Sequence, residues 1–87
     1  MRVASIDIGS YSVRLTIAEI KDKKLKIILE KGRITSLGSK VKETGMLQED
    51  RVKETIEVLK EYKKLVEDLG VQKIKAMATE AIRRAKN

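Results

Sequence analysis

The sequence predicts an α/β domain with the element order β-β-β-α-β-α. Three observations predict it: alternating apolar and polar side chains in the first part of the chain, a long middle stretch with apolar side chains every three or four positions, and a short apolar segment after Gly70. A chain of 87 residues supports one small core, so we expect a single domain over residues 1–87.

The first three predicted strands form an antiparallel meander. Val3, Ile6 and Ile8, with small residues between them, predict a buried strand over residues 2–8, and apolar and polar side chains alternate over residues 12–20 and again over 25–35. Short polar turns join these segments, and such turns connect antiparallel neighbours. Residues 36–47 are polar and contain two glycines, so they predict a loop with one possible helical turn.

The middle stretch predicts a long helix that ends at Gly70. Glu49 and Asp50 lie in its first turn, where the helix dipole favours anions. A helix between strands implies a right-handed crossover. The strand predicted over residues 71–78 therefore runs parallel to the first strand, and the sheet order is 3-2-1-4. The apolar band expected to face the core consists of Val52, Ile56, Leu59, Tyr62, Leu65 and Leu69, widened by Val58 and Val66.

Composition excludes several kinds of chemistry. The chain has no cysteine and no histidine, which rules out disulfides, thiolate or imidazole metal sites, and imidazole acid–base catalysis. No membrane-spanning or signal segment is recognisable, and we expect a cytoplasmic protein. The net charge of +7 attracts polyanions. Two tyrosines are the only aromatic residues, so nucleic acid would bind only non-specifically.

The turn between the first two predicted strands carries groups that suit phosphate. Asp7 ends the first strand, Gly9 breaks it, and Ser10, Ser12 and Arg14 follow. Backbone N–H groups freed by the glycine and the two serine hydroxyls are donors for phosphate oxygens. The aspartate is suited to a hydrated Mg²⁺ ion or to orienting a water. An ordinary hairpin turn also has this composition, so this motif alone leaves both interpretations open.

A second motif follows the fourth predicted strand. Thr79 opens the last predicted helix, and Arg83 lies one turn further on. If the first and fourth strands are parallel neighbours, their carboxyl ends lie side by side, where open α/β sheets bind ligands. Thr79 and the helix N-terminus would then face the turn at Gly9. The alternative is that Thr79 is only a helix cap and that Arg83 belongs to a solvated basic face.

Both motifs in this order of elements resemble the exopolyphosphatase and guanosine pentaphosphate phosphohydrolase family. This family belongs to the superfamily of actin, Hsp70 and sugar kinases, whose sheet is ribonuclease-H-like. The resemblance rests on residues 7–15 and on residues 78–83 with Ala85 and Asn87, and residues 34–38 and 44–47 between them also match. It is closest to thermophile-type bacterial exopolyphosphatases. Tyr11 departs from the asparagine more common at its position.

The resemblance implies roles for individual residues. Asp7 would bind the metal, Mg²⁺ in the family, or a water. Gly9, Ser10 and Ser12 would cradle phosphate, and Arg83 would contact a phosphate of the substrate chain. The family's catalytic glutamate and second phosphate loop lie beyond residue 87. We therefore expect a fragment or engineered derivative that is inactive, retains at most weak phosphate or polyphosphate binding, and forms homo-oligomers through exposed apolar surface.

Two other interpretations of the chain remain open. One is a folding scaffold or self-associating module that has no ligand. The other is a small basic protein that binds nucleic acid non-specifically, with a strong dependence on salt.

Overall fold

The computed structural model describes residues 1–79, 82, 83 and 85, apart from the side chain of Lys42. The elements are β1 (Arg2–Ile8), β2 (Ser12–Lys21), β3 (Lys24–Ile34), α1 (Val41–Thr44), α2 (Glu49–Asp68) and β4 (Lys73–Ala78). The single turn α1 lies in the predicted loop. In the predicted last helix, Ile82 and Arg83 are helical. Residues 80, 81, 84, 86 and 87 of that prediction lie outside the described residues.

The four strands form one mixed sheet in the order β3-β2-β1-β4, which confirms the predicted order. β2 runs antiparallel to both β1 and β3, whereas β4 runs parallel to β1. In the register of the parallel pair, Ile8 lies beside Ala78. The carboxyl ends of β1 and β4 are therefore adjacent.

The turn between β2 and β3 is shorter than the sequence predicts. Only Asp22 and Lys23 form it, both with left-handed backbone angles, φ of 54° and 63°. Lys21 and Lys24 are paired across it, so Lys24 belongs to β3. Two consecutive residues with positive φ give the hairpin turn whose twist matches that of the strands it joins.

The core lies between α2 and one face of the sheet. Val13, Leu15 and Ile17 of β2 are completely buried, as their alternation predicts. The buried face of α2 differs from the predicted band: it is centred on Val58 and Tyr62, and Ile56 is 46% exposed. Each helical residue turns about 100° from the previous one, so a face centred on these two residues carries Ile56 to its outer side.

Tyr62 connects α2 to the beginning of β2. Its side chain is only 1% exposed, and its hydroxyl donates a hydrogen bond of 2.9 Å to the backbone carbonyl of Val13. Burial raises the pKa of Tyr62 above its ordinary value of 10.0, although the nearby charge of Arg33 partly opposes that shift. The contact fixes the strand immediately after the turn at Gly9.

The two outer strands carry exposed apolar side chains. Ile27 and Ile34 of β3 and Ile74 and Met77 of β4 are all exposed. Within residues 1–79 and the three described positions beyond, neither outer edge is paired with another strand.

Among the described residues, no helix has both the length and the apolar composition that a membrane span requires.

We predict that Tyr62→Phe destabilises the fold. The substitution removes the hydrogen bond from α2 to the Val13 carbonyl but leaves the ring packing and the strand pairing of Val13 with Arg33 unchanged. The free energy of unfolding, measured by urea denaturation, should fall by about 0.5–1.5 kcal/mol, the net contribution of one hydrogen bond. The matched control is Tyr11→Phe, because Tyr11 is 68% exposed. Equal effects of the two substitutions would contradict this role for the Tyr62 hydroxyl.

The same pair gives the pH dependence. Because the folded-state pKa of Tyr62 is raised, its contribution to stability is complete below the unfolded pKa near 10.0 and is lost as pH rises through the folded value. The difference in unfolding free energy between the wild type and Tyr62→Phe should therefore be constant below about pH 10 and shrink as the pH rises beyond it.

Candidate functional site

The loop between β1 and β2, residues 9–12, is closed by a hydrogen bond of 2.8 Å from the Gly9 N–H to the Ser12 carbonyl. A Cβ at Gly9 would lie 3.1 Å from that carbonyl oxygen, so the close approach favours glycine. The expectation that the glycine frees the N–H groups is wrong for Gly9 itself, whose N–H is used inside the turn. The N–H groups of Ser10 and Tyr11 have no acceptor among the described residues and remain available.

The loop carbonyls are bound by the segment that follows β3. The Tyr11 carbonyl accepts hydrogen bonds of 2.9 Å from the N–H groups of both Thr35 and Ser36. The Ser10 carbonyl accepts one of 2.9 Å from Gly38. In a trans peptide the C=O and the following N–H point in opposite directions. The Tyr11 N–H is therefore directed away from residues 35–38.

Thr79 meets the loop from β4. Its N–H donates to the Ile8 carbonyl at 3.0 Å, which extends the pairing of β1 with β4 by one residue. Its Oγ1 lies 3.4 Å from Oγ of Ser10. That separation exceeds the usual O–H···O range of about 2.5–3.0 Å, so the two hydroxyls bind each other only weakly. Both remain able to donate to a ligand oxygen placed between them.

Asp7 and Arg14 lie opposite each other on β1 and β2, on the sheet face away from α2. Both side chains are exposed. Neither forms an ion pair with any residue of the described part. A carboxylate and a guanidinium are thus available beside the loop.

Arg83 and Ser12 have different relations to the loop. The N–H of Arg83 donates to the Thr79 carbonyl at 3.1 Å, so its backbone lies one turn beyond Thr79. The side chain of Arg83 is exposed, and no hydrogen bond or ion pair joins it to the loop within the described part of the chain. Its predicted contact with phosphate stays a prediction. Ser12 begins β2, and its carbonyl closes the turn.

The side-chain oxygen atoms around the loop suit a hard cation such as Mg²⁺ better than a softer metal. The described residues contain no group of three or more histidine, cysteine or acidic side chains that would hold a metal by themselves. Asp7 supplies one carboxylate, and the other side chains at the loop are hydroxyls. Mg²⁺ accepts such a site because it keeps several waters and takes its other ligands from phosphate oxygens.

Sequence reasoning missed the contact made by residues 35–38. The pattern assigned residues 36–47 to a loop and gave no reason to place its start against Ser10. A signal was present, because β3 runs antiparallel to β2 and Ile34 pairs with Ser12. The chain that leaves β3 must therefore begin beside the loop.

The fold and this loop define an α/β domain with backbone N–H groups and hydroxyls gathered at the carboxyl ends of two parallel strands. Residues 16–87 match the model of the Ppx/GppA phosphatase family. The chain belongs to that family.

Three relatives illustrate the similarity. The crystal structure of the Aquifex aeolicus member of the Ppx/GppA family superposes with a TM-score of 0.97, at 79% identity over 100% of this chain and 28% of that one. An exopolyphosphatase from Cytophaga hutchinsonii, at 22% identity, shares the fold with a TM-score of 0.94 over 100% of this chain and 28% of that one. A bifunctional 3-dehydroquinate synthase/phosphatase from Fusobacterium nucleatum is 34% identical over 97% of this chain and 14% of its own. The chain thus spans less than a third of each relative.

Proposed function

We propose that this chain forms one phosphate-binding wall of an exopolyphosphatase-type or guanosine pentaphosphate phosphohydrolase-type enzyme. The observation that carries the proposal is the approach of the Ser10 and Thr79 hydroxyls to 3.4 Å at the adjacent ends of β1 and β4. Membership of a phosphatase family supports it. Its substrate class is a chain of phosphates linked by anhydride bonds.

The loop would bind a terminal phosphate through donors from two sides. The available N–H groups of Ser10 and Tyr11 and the hydroxyls of Ser10 and Ser12 approach from β1 and β2, and the Thr79 hydroxyl approaches from β4. Gly9 permits the tight turn that presents them. Hydrogen bonds to an ionised phosphate are shorter and stronger than those between neutral groups, so several weak donors suffice when they converge.

The positive charge of the chain favours the same ligand. Arg83 would reach a phosphate further along the substrate chain by turning its exposed side chain toward the loop. The net charge of +7 raises the local concentration of polyanions near the chain, whatever their chemical identity.

Asp7 would hold Mg²⁺ through its carboxylate, with water and phosphate oxygens completing the coordination. Mg²⁺ bound there would neutralise part of the charge of the phosphate. The chain's own contribution is to fix the carboxylate beside the loop, on the sheet face that α2 leaves uncovered.

We expect the 87-residue chain to bind phosphate without hydrolysing it. In-line displacement at phosphorus requires an activated water and charge stabilisation from opposite sides of the transferred group. The loop and Thr79 provide one side. The family resemblance assigns the catalytic glutamate to a position after residue 87.

Amide NMR during a titration with tripolyphosphate and Mg²⁺ tests this proposal. Shift changes should be confined to residues 7–14 and the neighbourhood of Thr79, and no free phosphate should appear. The Ser10→Ala/Ser12→Ala variant should lose the localised response, because two hydroxyl donors are removed. Ser5→Ala is the matched control, since Ser5 lies on β1 two residues before Asp7.

Other outcomes of this titration contradict the proposal in distinct ways. An absence of shift changes would identify a ligand-free scaffold. Shifts spread over the lysines that vanish with added salt would identify a non-specific binder of polyanions, including nucleic acid. Release of phosphate by the purified chain would contradict binding without hydrolysis.

We also infer that the chain in isolation pairs with a second copy through the outer edge of β4. An unpaired strand edge presents free backbone donors and acceptors, and the exposed Ile74 and Met77 add apolar surface to it. Sedimentation equilibrium should show a dimer, and Ile74→Lys/Met77→Lys should shift it to monomer. Ile56→Lys, at an exposed isoleucine on α2, is the control. A wild-type monomer at high concentration would contradict this inference.

A further inference from the structure

The segment of residues 35–38, which we call the strap, contacts Ser10 through Gly38. A Cβ at Gly38 would lie 3.1 Å from each of Cα, Cβ and Oγ of Ser10. Such separations are tighter than side chains normally reach, so a neighbour must give way. The φ of Gly38 is not positive, unlike those of Gly45 and Gly70. Glycine is therefore required here for space and not for its backbone angle.

The strap is held more firmly than the hydroxyl it contacts. Thr35 is completely buried and Leu37 is almost so, which anchors the strap in the interior. Ser36 has a left-handed φ of 52°, uncommon for a residue other than glycine. Its carbonyl accepts bonds from the Ser39 hydroxyl at 2.9 Å and the Ser39 N–H at 3.2 Å.

The Ser10 side chain has no comparable restraint. Its hydroxyl has only the weak 3.4 Å contact with Thr79. Added volume at Gly38 would therefore press on the Cα, Cβ and Oγ of Ser10 together and shift its hydroxyl more readily than it would shift the buried strap. The displacement would change the distance between the two hydroxyls that face the ligand.

We propose that Gly38 is a positioning residue for phosphate binding, acting through the Ser10 hydroxyl. This inference rests on the proposed function, because it assigns to Ser10 a role in holding phosphate. Gly38 contributes by lacking a side chain: its small volume sets how far the Ser10 hydroxyl lies from Oγ1 of Thr79.

The test compares two glycine-to-alanine variants of the 87-residue chain in the tripolyphosphate titration. Gly38→Ala should weaken binding about fivefold to tenfold, because a hydroxyl shifted by a few tenths of an ångström no longer meets the ligand oxygen with good geometry. Gly32→Ala should bind within about twofold of the wild type. A Cβ at Gly32 would meet only Arg14 Cγ, at an ordinary 3.9 Å.

Two further variants separate positioning from a general loss of structure. In a Ser10→Ala background, Gly38→Ala should cause little additional loss of affinity, because the hydroxyl it displaces is absent. Ser10→Thr keeps the hydroxyl and adds a methyl group to the same contact, so it should weaken binding similarly and serves where Gly38→Ala is unstable. Wild-type affinity in folded Gly38→Ala or Ser10→Thr would overturn the inference. A wild-type chain that does not bind tripolyphosphate would instead overturn the proposed function.

Discussion

The parallel pairing of β1 with β4 is the constraint on which the candidate site depends. It brings Ile8 beside Ala78, although most of the chain separates them in sequence. The bond from the Thr79 N–H to the Ile8 carbonyl continues the pairing past the end of the strand. Without the pairing of β1 with β4, residues 9–12 would be a hairpin turn with hydroxyls on one side only. Because of that pairing, the Thr79 hydroxyl at the end of β4 lies beside the loop and approaches from a different direction.

The loop is also fixed by contacts that lie away from the candidate ligand site. The Tyr62 hydroxyl binds the Val13 carbonyl just after the loop, and the strap binds the carbonyls of Ser10 and Tyr11. These bonds consume acceptors, so the groups left around the turn are mainly donors. A site enriched in donors is suited to an anion and poorly suited to a cation, except where Asp7 adds its carboxylate. The polarity of the site follows from how the backbone carbonyls are satisfied.

The sheet could be predicted because its information is local. The apolar and small residues before Gly9 defined β1, alternation defined β2 almost to the residue, and the long helix implied the crossover that makes β4 parallel to β1. Ile56 was wrongly predicted to be buried because its spacing from Val52 and Leu59 is that of a buried helix face. Spacing alone does not determine which side of α2 contacts the sheet, and the observed contact leaves Ile56 outside. The contact of Gly38 with Ser10 depends on the path of an irregular segment, which no periodicity describes.

The central claim is that Ser10 and Thr79 act on one ligand. A double-mutant cycle with Ser10→Ala and Thr79→Val, read as tripolyphosphate affinity, tests it most directly. Valine keeps the shape of threonine and removes its hydroxyl. If both hydroxyls bind the same phosphate, the loss in the double variant should be clearly smaller than the sum of the two single losses. Additive losses, or no loss for Thr79→Val, would contradict a shared phosphate site at the ends of β1 and β4.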